Sequence, residues 1–243
     1  MSKGILVSLE KQNCREMKLT YYGHSCFAVK IKGKTILFDP FITPNELANK
    51  FIDIKKISCD YIFISHGHAD HIADCIAIAQ QTGATCVAAY EVTEWLQKQN
   101  INKVHPMNTG GKWSFDFGTV KCVVAQHSSG LPDGTYGGNP MGYLFMTEEG
   151  NFYFSGDTAL TLDMQLIPRW AKVDFAVLPI GDNFTMDAED AATAAEFVQT
   201  QKVVGIHYDT FGYIKIDHQK AKDIFTNKKI NLLLPAIGEN IEI

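Results

Sequence analysis

The sequence predicts an α/β protein in which strands and helices form separate layers. Apolar runs typical of buried strands, such as residues 59–64 and 173–179, alternate with Ala-rich stretches that favour helices, such as residues 72–79. Several of these apolar runs end directly in His or Asp side chains. Because loops at strand carboxyl ends carry side chains on a rigid base, this pattern also predicts a functional site there.

The composition is that of an ordinary globular chain. The 243 residues are 46% hydrophobic, which is enough for one large domain or two small ones. We expect one domain over residues 17–243, which starts at a second methionine and follows an N-terminal extension over residues 1–16. The formal net charge of −5 argues against a broad nucleic-acid-binding face, so no nucleic-acid partner is expected. No apolar run reaches the length of a membrane span, so no membrane association is expected.

The cysteines favour a reducing compartment. None of the six forms a C-x-x-C pair, and most lie inside apolar runs, as small buried hydrophobic residues do. The first ten residues have only a short apolar stretch and lack a typical signal-peptide cleavage site. A cytoplasmic location is therefore expected.

The first strands bring two polar residues to candidate positions. Residues 18–38 predict three strands, and the turn Lys32-Gly33-Lys34 predicts a hairpin between the last two. His24 interrupts the first pair, where it either faces a site or makes local hydrogen bonds. Asp39 follows the third strand and either holds a ligand histidine from behind or serves as a turn or cap residue.

The densest cluster of polar ligands follows the apolar run 59–64. The segment reads Ser65-His66-Gly67-His68-Ala69-Asp70-His71. Residues two apart in an extended segment point the same way, so His66 and His68 can reach one metal ion. Asp70 and His71 lie where the chain tightens into a helix, predicted to end near residue 82, and would face a second ion. Imidazole and carboxylate are ligands of zinc, iron and manganese.

The alternative for this segment is a polar loop in which Asp70 caps a helix and the histidines are solvated. Such a loop needs one cap and has no use for three imidazoles, so we favour the metal site.

The pattern H-x-H-x-D-H resembles the signature of the metallo-β-lactamase superfamily. The resemblance implies a four-layer αββα sandwich and a hydrolase with one or two metals. It also implies further ligands downstream in a set order: a His, an Asp and a last His, each just past a strand. His127, Asp157 and His207 occupy these positions after predicted strands over residues 120–125, 152–155 and 202–206. For Asp157, the alternative is a turn residue that caps a helix beginning near residue 160.

The remaining elements complete a layered fold. His105, predicted in a loop, and His218, predicted in a helix, fall outside the ligand order, and we interpret both as structural. Helices are predicted over residues 92–97, 187–199 and 217–225, strands over 85–89, 112–115 and 142–146, and two closing strands of the second sheet over 231–234 and 239–243.

Other stretches resemble one branch of the superfamily, the small single-domain metal-dependent hydrolases related to the ascorbate-6-phosphate lactonases. These stretches are residues 23–26, residues 127–129 together with 133–140, and residues 180–186. No cysteine occupies a ligand position, unlike in many true β-lactamases, so antibiotic hydrolysis is not expected. The resemblance implies two divalent ions, zinc first and manganese or iron as alternatives. One ion would be held by His66, His68 and His127, the other by Asp70, His71 and His207, with Asp157 between them.

These ligands imply a hydrolase that uses a metal-bridging hydroxide, because bound metal lowers the pKa of water from 15.7 toward about 7. Asp70 is also expected to orient the hydroxide, and His24 is a second candidate catalytic residue. The substrate is expected to be a small lactone or other carboxylic ester, with a small phosphodiester as the alternative. Neither a Walker-type loop nor a basic cluster supports phosphate recognition.

Three residues are candidates for substrate binding. The Gly-rich loop 130–140 leaves the strand that carries His127, so we expect its Tyr136 and Asn139 to position substrate. The alternative is a surface connection whose glycines serve only turns. Asn183, in the loop after strand 173–179, is the third candidate. The partner is therefore expected to be a small molecule, and a homo-oligomer is left open.

Two rival functions belong to other classes. An iron oxidoreductase can use the same scaffold, but its oxygen-reducing diiron members usually carry a carboxylate at the position of His68 and a flavin domain. A non-catalytic metal-binding module would be expected to have lost a ligand, and every position in the order is filled. Both are therefore less favoured than a hydrolase.

Overall fold

The computed structural model describes residues 17–243 and contains two seven-stranded sheets. The predicted extension over residues 1–16 lies outside the described part of the chain. The strands are β1 (Lys18–Gly23), β2 (Cys26–Ile31), β3 (Lys34–Phe38), β4 (Tyr61–Phe63), β5 (Thr85–Ala89), β6 (Val104–Met107), β7 (Lys112–Phe115), β8 (Gly118–Val124), β9 (Met141–Met146), β10 (Asn151–Phe154), β11 (Phe175–Pro179), β12 (Lys202–Ile206), β13 (Asn231–Leu233) and β14 (Asn240–Glu242). The α-helices are α1 (Ala69–Ile72), α2 (Cys75–Thr82), α3 (Tyr90–Lys98), α4 (Ala188–Phe197) and α5 (His218–Asn227), and short 3-10 helices span Ile54–Lys56, Leu162–Arg169 and Gly212–Ile214.

Each sheet combines antiparallel and parallel pairs. The strand order is β14-β1-β2-β3-β4-β5-β6 in the first sheet and β13-β12-β11-β10-β9-β8-β7 in the second. Strands β3 to β6 run parallel to one another, as do β10 to β13. Helix α3 packs on β5 and β6, while α4 and α5 pack on β11 and β13. The arrangement confirms the predicted four-layer αββα sandwich.

Aromatic side chains fill the space between the sheets. Phe38 of the first sheet makes edge-to-face contacts with Phe145 and Phe154 of the second, with ring centroids 5.3 Å apart in both pairs. Phe63 meets Tyr143 in the same way at 5.2 Å. All five side chains are fully buried, and edge-to-face pairs stabilise such a core beyond simple area burial. This packing fixes the end of β4 against β9, immediately before the histidine-rich segment 65–71.

Three predicted details of the fold are wrong. The single helix predicted after residue 71 is divided into two helices, α1 and α2. At the break between them, the Asp74 carboxylate accepts hydrogen bonds from the backbone N–H groups of Ile42 (2.6 Å) and Thr43 (2.8 Å). His105 lies in strand β6 rather than in a loop. The closing strand β14 belongs to the first sheet, because it pairs antiparallel with β1, Ile241 opposite Leu19.

Of the helices in the described residues, none combines the length and the apolar character that a bilayer crossing needs.

Candidate metal centre

The candidate ligands lie at strand ends that meet along one edge of the sandwich. His127, Asp157 and His207 follow β8, β10 and β12, which run in the same direction within the second sheet. His66 and His68 lie in the loop between strand β4 of the facing sheet and helix α1, and His71 lies within α1. The two sheets therefore present their ligands to a common space.

Close backbone approaches hold this edge together. The backbone N–H of His207 donates to the carbonyl of His24 at 3.0 Å, and both residues adopt left-handed backbone conformations, with φ of +56° and +54°. Such φ values are uncommon for residues other than glycine and concentrate where a structure imposes them. Gly181 lies against the His207 carbonyl, where any Cβ atom would overlap the oxygen. The ends of β1, β11 and β12 are thus held in mutual contact.

The first ligand cluster consists of His66, His68 and His127. His66 Nε2 lies 2.8 Å from His68 Nδ1, and one nitrogen of each of the three rings falls within 4.8 Å of the others. His66 is fully buried, whereas His68 and His127 are partly exposed. Three imidazoles that converge in this way are the ligand set of a zinc-type ion with a further open position.

The second ligand cluster consists of Asp70, His71 and His207. Asp70 Oδ2 lies 3.7 Å from His71 Nε2 and 3.7 Å from His207 Nε2. His24 joins this group, because its Nε2 lies 3.0 Å from the same Asp70 oxygen and its Nδ1 lies 3.0 Å from Thr210 Oγ1. The ligand atoms of all four side chains fall within 4.8 Å of one another.

Asp157 lies between the two clusters. Its Oδ2 is 3.0 Å from His207 Nε2 and 3.2 Å from His71 Nε2, both in the second cluster. The same oxygen is 3.7 Å from His127 Nε2 of the first cluster. A buried carboxylate in this position can contribute to both clusters at once.

Hydrogen bonds behind the clusters orient two of the rings. Asp39 Oδ2 lies 2.7 Å from His71 Nδ1 and also accepts a hydrogen bond from the Ser65 hydroxyl at 2.5 Å. The Ser65 hydroxyl in turn lies 2.9 Å from His66 Nδ1. Each ring is therefore held through Nδ1 and turns its Nε2 toward the cluster. Of the two alternatives for Asp39, the structure bears out the one in which it holds a histidine from behind. Such outer contacts fix the ring orientation of metal-ligating histidines.

The donor set fits divalent metal ions. In the described residues, three buried atoms of the candidate ligands have no hydrogen-bond partner, namely His71 Nε2, Asp157 Oδ1 and His207 Nδ1, and of these His71 Nε2 faces the second ligand cluster. Burying unpaired polar atoms is costly, and a bound cation relieves that cost for atoms that face it. Imidazole nitrogens with carboxylate oxygens are suited to zinc, manganese or iron.

The electrostatics of the metal-free protein divide the histidines into two groups. Burial lowers the pKa of His66, His68 and His127, so these rings are neutral at physiological pH. Burial also acts to lower the pKa of His207, but Asp157 and Asp70 more than reverse this effect and raise it to about 9. Asp157, Asp70 and Asp39 likewise raise the pKa of His71. Burial acts against ionisation of Asp70 and Asp157, but neighbouring histidines hold the pKa of both carboxyls low.

Metal binding to the metal-free protein is expected to release protons at about pH 7.5, because His71 and His207 must become neutral to act as ligands. Calorimetric titration with zinc in two buffers of different ionisation enthalpy measures this, and about one to two protons per chain are expected. The release is expected to shrink as the pH rises through about 9, the pKa of His207. On acidification below about 6.5, protonation of ligand histidines should remove the metal. Zinc binding with the same heat in both buffers would contradict this distribution of charge.

The predicted substrate residues lie apart from the ligand clusters. Tyr136 is 65% exposed, and its hydroxyl donates to Asn139 Oδ1 at 3.1 Å. Within the described residues, neither side chain forms a hydrogen bond to the ligand clusters. Their loop does reach the metal motif, because Ser129 Oγ accepts from the Gly67 N–H at 3.1 Å. Asn183 is exposed in the loop after β11. A role of these three residues in substrate binding remains a prediction.

A cavity beside the second ligand cluster was missed by the sequence analysis. It encloses about 760 Å³ and reaches Asp70. Four aromatic side chains line it: Phe41, Phe184, Phe211 and Tyr213. Each lies in a connection that follows a strand of the site, Tyr213 within its short 3-10 helix, and this position after a strand is the one signal in the sequence that could have indicated them.

Comparison with known proteins agrees with this geometry. The family model described as "Beta-lactamase superfamily domain" matches residues 34–208, a range that includes both ligand clusters and Asp157. A metal-dependent hydrolase of Flavobacterium johnsoniae is 52% identical over 227 residues, covering 93% of this chain and 100% of that protein. A metallo hydrolase of the archaeon Ignicoccus hospitalis, known from its solved structure, has a TM-score of 0.82 at 31% identity, covering 93% of this chain and 98% of its own. An isothiocyanate hydrolase from Delia radicum gut bacteria shares the fold, with a TM-score of 0.75 at 20% identity, covering 93% of this chain and 98% of its own.

Proposed function

Since the chain belongs to the β-lactamase superfamily and is a metal-dependent hydrolase, we propose that its substrate is a small lactone or other carboxylic ester. The observation that carries this choice is the lining of the cavity beside Asp70. Among the described residues that form its walls there is no Lys or Arg, and the charged side chains are the carboxylates of Glu46 and Asp70. Asp70 is a proposed metal ligand, so Glu46 supplies the remaining charge of the wall, which disfavours an anionic phosphodiester and tolerates a neutral ester.

We further propose two metal ions, with zinc as the native metal. The first ligand cluster would hold one ion and the second cluster the other, and Asp157 would be available to both. The chemistry supplied by such ions would be activation of water at neutral pH and stabilisation of the negative charge that develops on the substrate carbonyl.

The protein's own groups act around this centre. Asp39 and Ser65 hold His71 and His66 through their Nδ1 atoms, so both rings keep a fixed orientation. His24 bonds to Asp70 Oδ2, which orients that carboxylate toward the reacting space. The walls of the cavity exclude water from one side of the substrate and fix its approach to Asp70.

Activity assays on the purified protein, loaded separately with zinc and with manganese, test this proposal. Lactones, thioesters, p-nitrophenyl esters and bis-p-nitrophenyl phosphate are compared at equal metal content. We expect kcat/KM for the best carboxylic ester to exceed that for the phosphodiester by at least about tenfold. Activity should disappear with a chelator and return when metal is restored. Preferential hydrolysis of the phosphodiester would overturn the proposed substrate class.

A further inference from the structure

We propose that the cavity beside Asp70, called here the aromatic cavity and lined by Phe41, Phe184, Phe211 and Tyr213, binds an uncharged apolar acyl group of the substrate. This inference rests on the proposed ester hydrolysis and names the kind of ester. The preferred substrates are then esters of aromatic or medium-chain aliphatic acids, rather than acetates or esters of charged acids.

The aromatic cavity is built from three loops that also carry site residues. Phe41 lies two residues after Asp39, Phe184 follows β11, and Phe211 and Tyr213 follow His207. The ring centroids of Phe41 and Phe211 lie 6.2 Å apart, as do those of Phe184 and Tyr213. The rings thus form two aromatic pairs that line one cavity, and their segments begin near the strand ends that carry the candidate ligands.

His24 connects two of these aromatic rings to the second ligand cluster. The His24 ring centroid lies 5.4 Å from that of Phe41 and 5.3 Å from that of Phe211. Its Nε2 bonds Asp70, a member of the second ligand cluster. A group bound against Phe211 in the aromatic cavity is therefore near Asp70, which lines the same cavity and is the carboxylate that we expect to orient the nucleophile.

The exposure of these rings indicates a ligand surface. Phe184 is 50% exposed, Phe211 is 36% exposed and Tyr213 is 78% exposed. Large apolar side chains that cluster in an open concavity mark binding sites, whereas isolated exposed ones need no explanation. A volume of about 760 Å³ lies within the usual range for small-molecule pockets.

The charge of the walls selects the kind of acyl group. Asp70 is a proposed metal ligand, but Glu46 would repel a second carboxylate or a phosphate on the substrate, and no Lys or Arg among the described lining residues would compensate. An uncharged acyl chain is not repelled by the wall carboxylate, and it covers the exposed aromatic rings. Burial of each additional methylene against them is favourable.

Hydrolysis of p-nitrophenyl acetate, hexanoate and octanoate by the zinc-loaded protein tests the inference. We expect kcat/KM to rise by at least about tenfold from acetate to hexanoate. Phe211→Ala and Phe184→Ala should each remove most of this gain, measured within each variant as the ratio of kcat/KM for hexanoate to kcat/KM for acetate. Thermal melting and elemental analysis establish that each variant keeps its fold and metal content, which is expected first for Phe184→Ala because Phe184 is 50% exposed. The matched control is Phe51→Ala, because Phe51 is 74% exposed and lies outside the aromatic cavity.

A binding measurement separates this inference from the proposed function. Octanoate and acetate, the acid products, are titrated into the zinc-loaded protein by calorimetry. We expect octanoate to bind at least about tenfold more tightly, and Phe211→Ala to abolish the difference. Tight octanoate binding without turnover of any ester would contradict the proposed function and support the cavity's role. Ester hydrolysis with equal kcat/KM for all chain lengths, together with equal binding of the two acids, would overturn the inference and leave the function intact.

Discussion

The variant Asp157→Asn is expected to lose metal and to lower kcat/KM for the best ester by at least about 1000-fold, or about 4.1 kcal/mol. Asp157 Oδ2 is the oxygen that approaches both ligand clusters, at 3.0 Å from His207 Nε2 and 3.7 Å from His127 Nε2. The amide keeps the shape of the side chain and removes the charge. Binding at both clusters should therefore weaken, whereas His207→Ala should empty chiefly the second cluster.

Elemental analysis after zinc loading and dialysis, with kinetics on the same samples, measures this effect. Asp163→Asn is the matched control, because Asp163 is exposed on a 3-10 helix and should keep both metal content and activity. We expect about two ions per wild-type chain, because seven ligands exceed what one tetrahedral ion can use. A wild-type protein that holds at most one ion, with a metal content unchanged in His207→Ala, would contradict the two-ion arrangement.

The ligand clusters could be predicted because local spacing and strand ends define them. His66, His68, Asp70 and His71 lie within one short loop, and the structure brings them to His127, Asp157 and His207 as the order of the resemblance implies. Asp39 was recognisable for the same reason, since it directly follows a strand beside the motif. In each case the residue directly follows a strand whose end lies at the site, so its position along the sequence is enough to predict its place in the site.

Features that depend on distant pairings could not be predicted in this way. Strand β14 was assigned to the second sheet because it follows β13, yet its partner is β1, more than 200 residues away in sequence. A short strand between polar turns carries little information about which sheet edge it joins. The aromatic cavity was missed for a related reason: Phe41, Phe184 and Phe211 come from three separate loops, and nothing in their spacing connects them.

The variant His24→Ala is expected to lower kcat/KM by about 10- to 100-fold and to weaken metal binding at the second ligand cluster. Burial is the main reason that the pKa of His24 is lowered, to about 4, and the neighbouring His207 lowers it further. A neutral ring beside the Asp70 carboxylate must place its one proton on Nε2 to donate there, so Nδ1 accepts from the Thr210 hydroxyl. His24 therefore acts as a positioning residue, since it fixes the Asp70 oxygen that faces His71 and His207.

Rescue by His24→Gln separates positioning from a general packing role, because Gln can donate a hydrogen bond from a similar distance and Ala cannot. We expect His24→Gln to recover most of the second-cluster zinc affinity, measured by competition with a chromophoric chelator, while His24→Ala does not. His105→Ala is the control, since His105 packs on Trp113 and Phe115 away from the ligand clusters and should leave affinity unchanged. Equal loss of affinity in the Ala and Gln variants, with equal loss of thermal stability, would assign His24 to packing of the β1 and β12 ends alone.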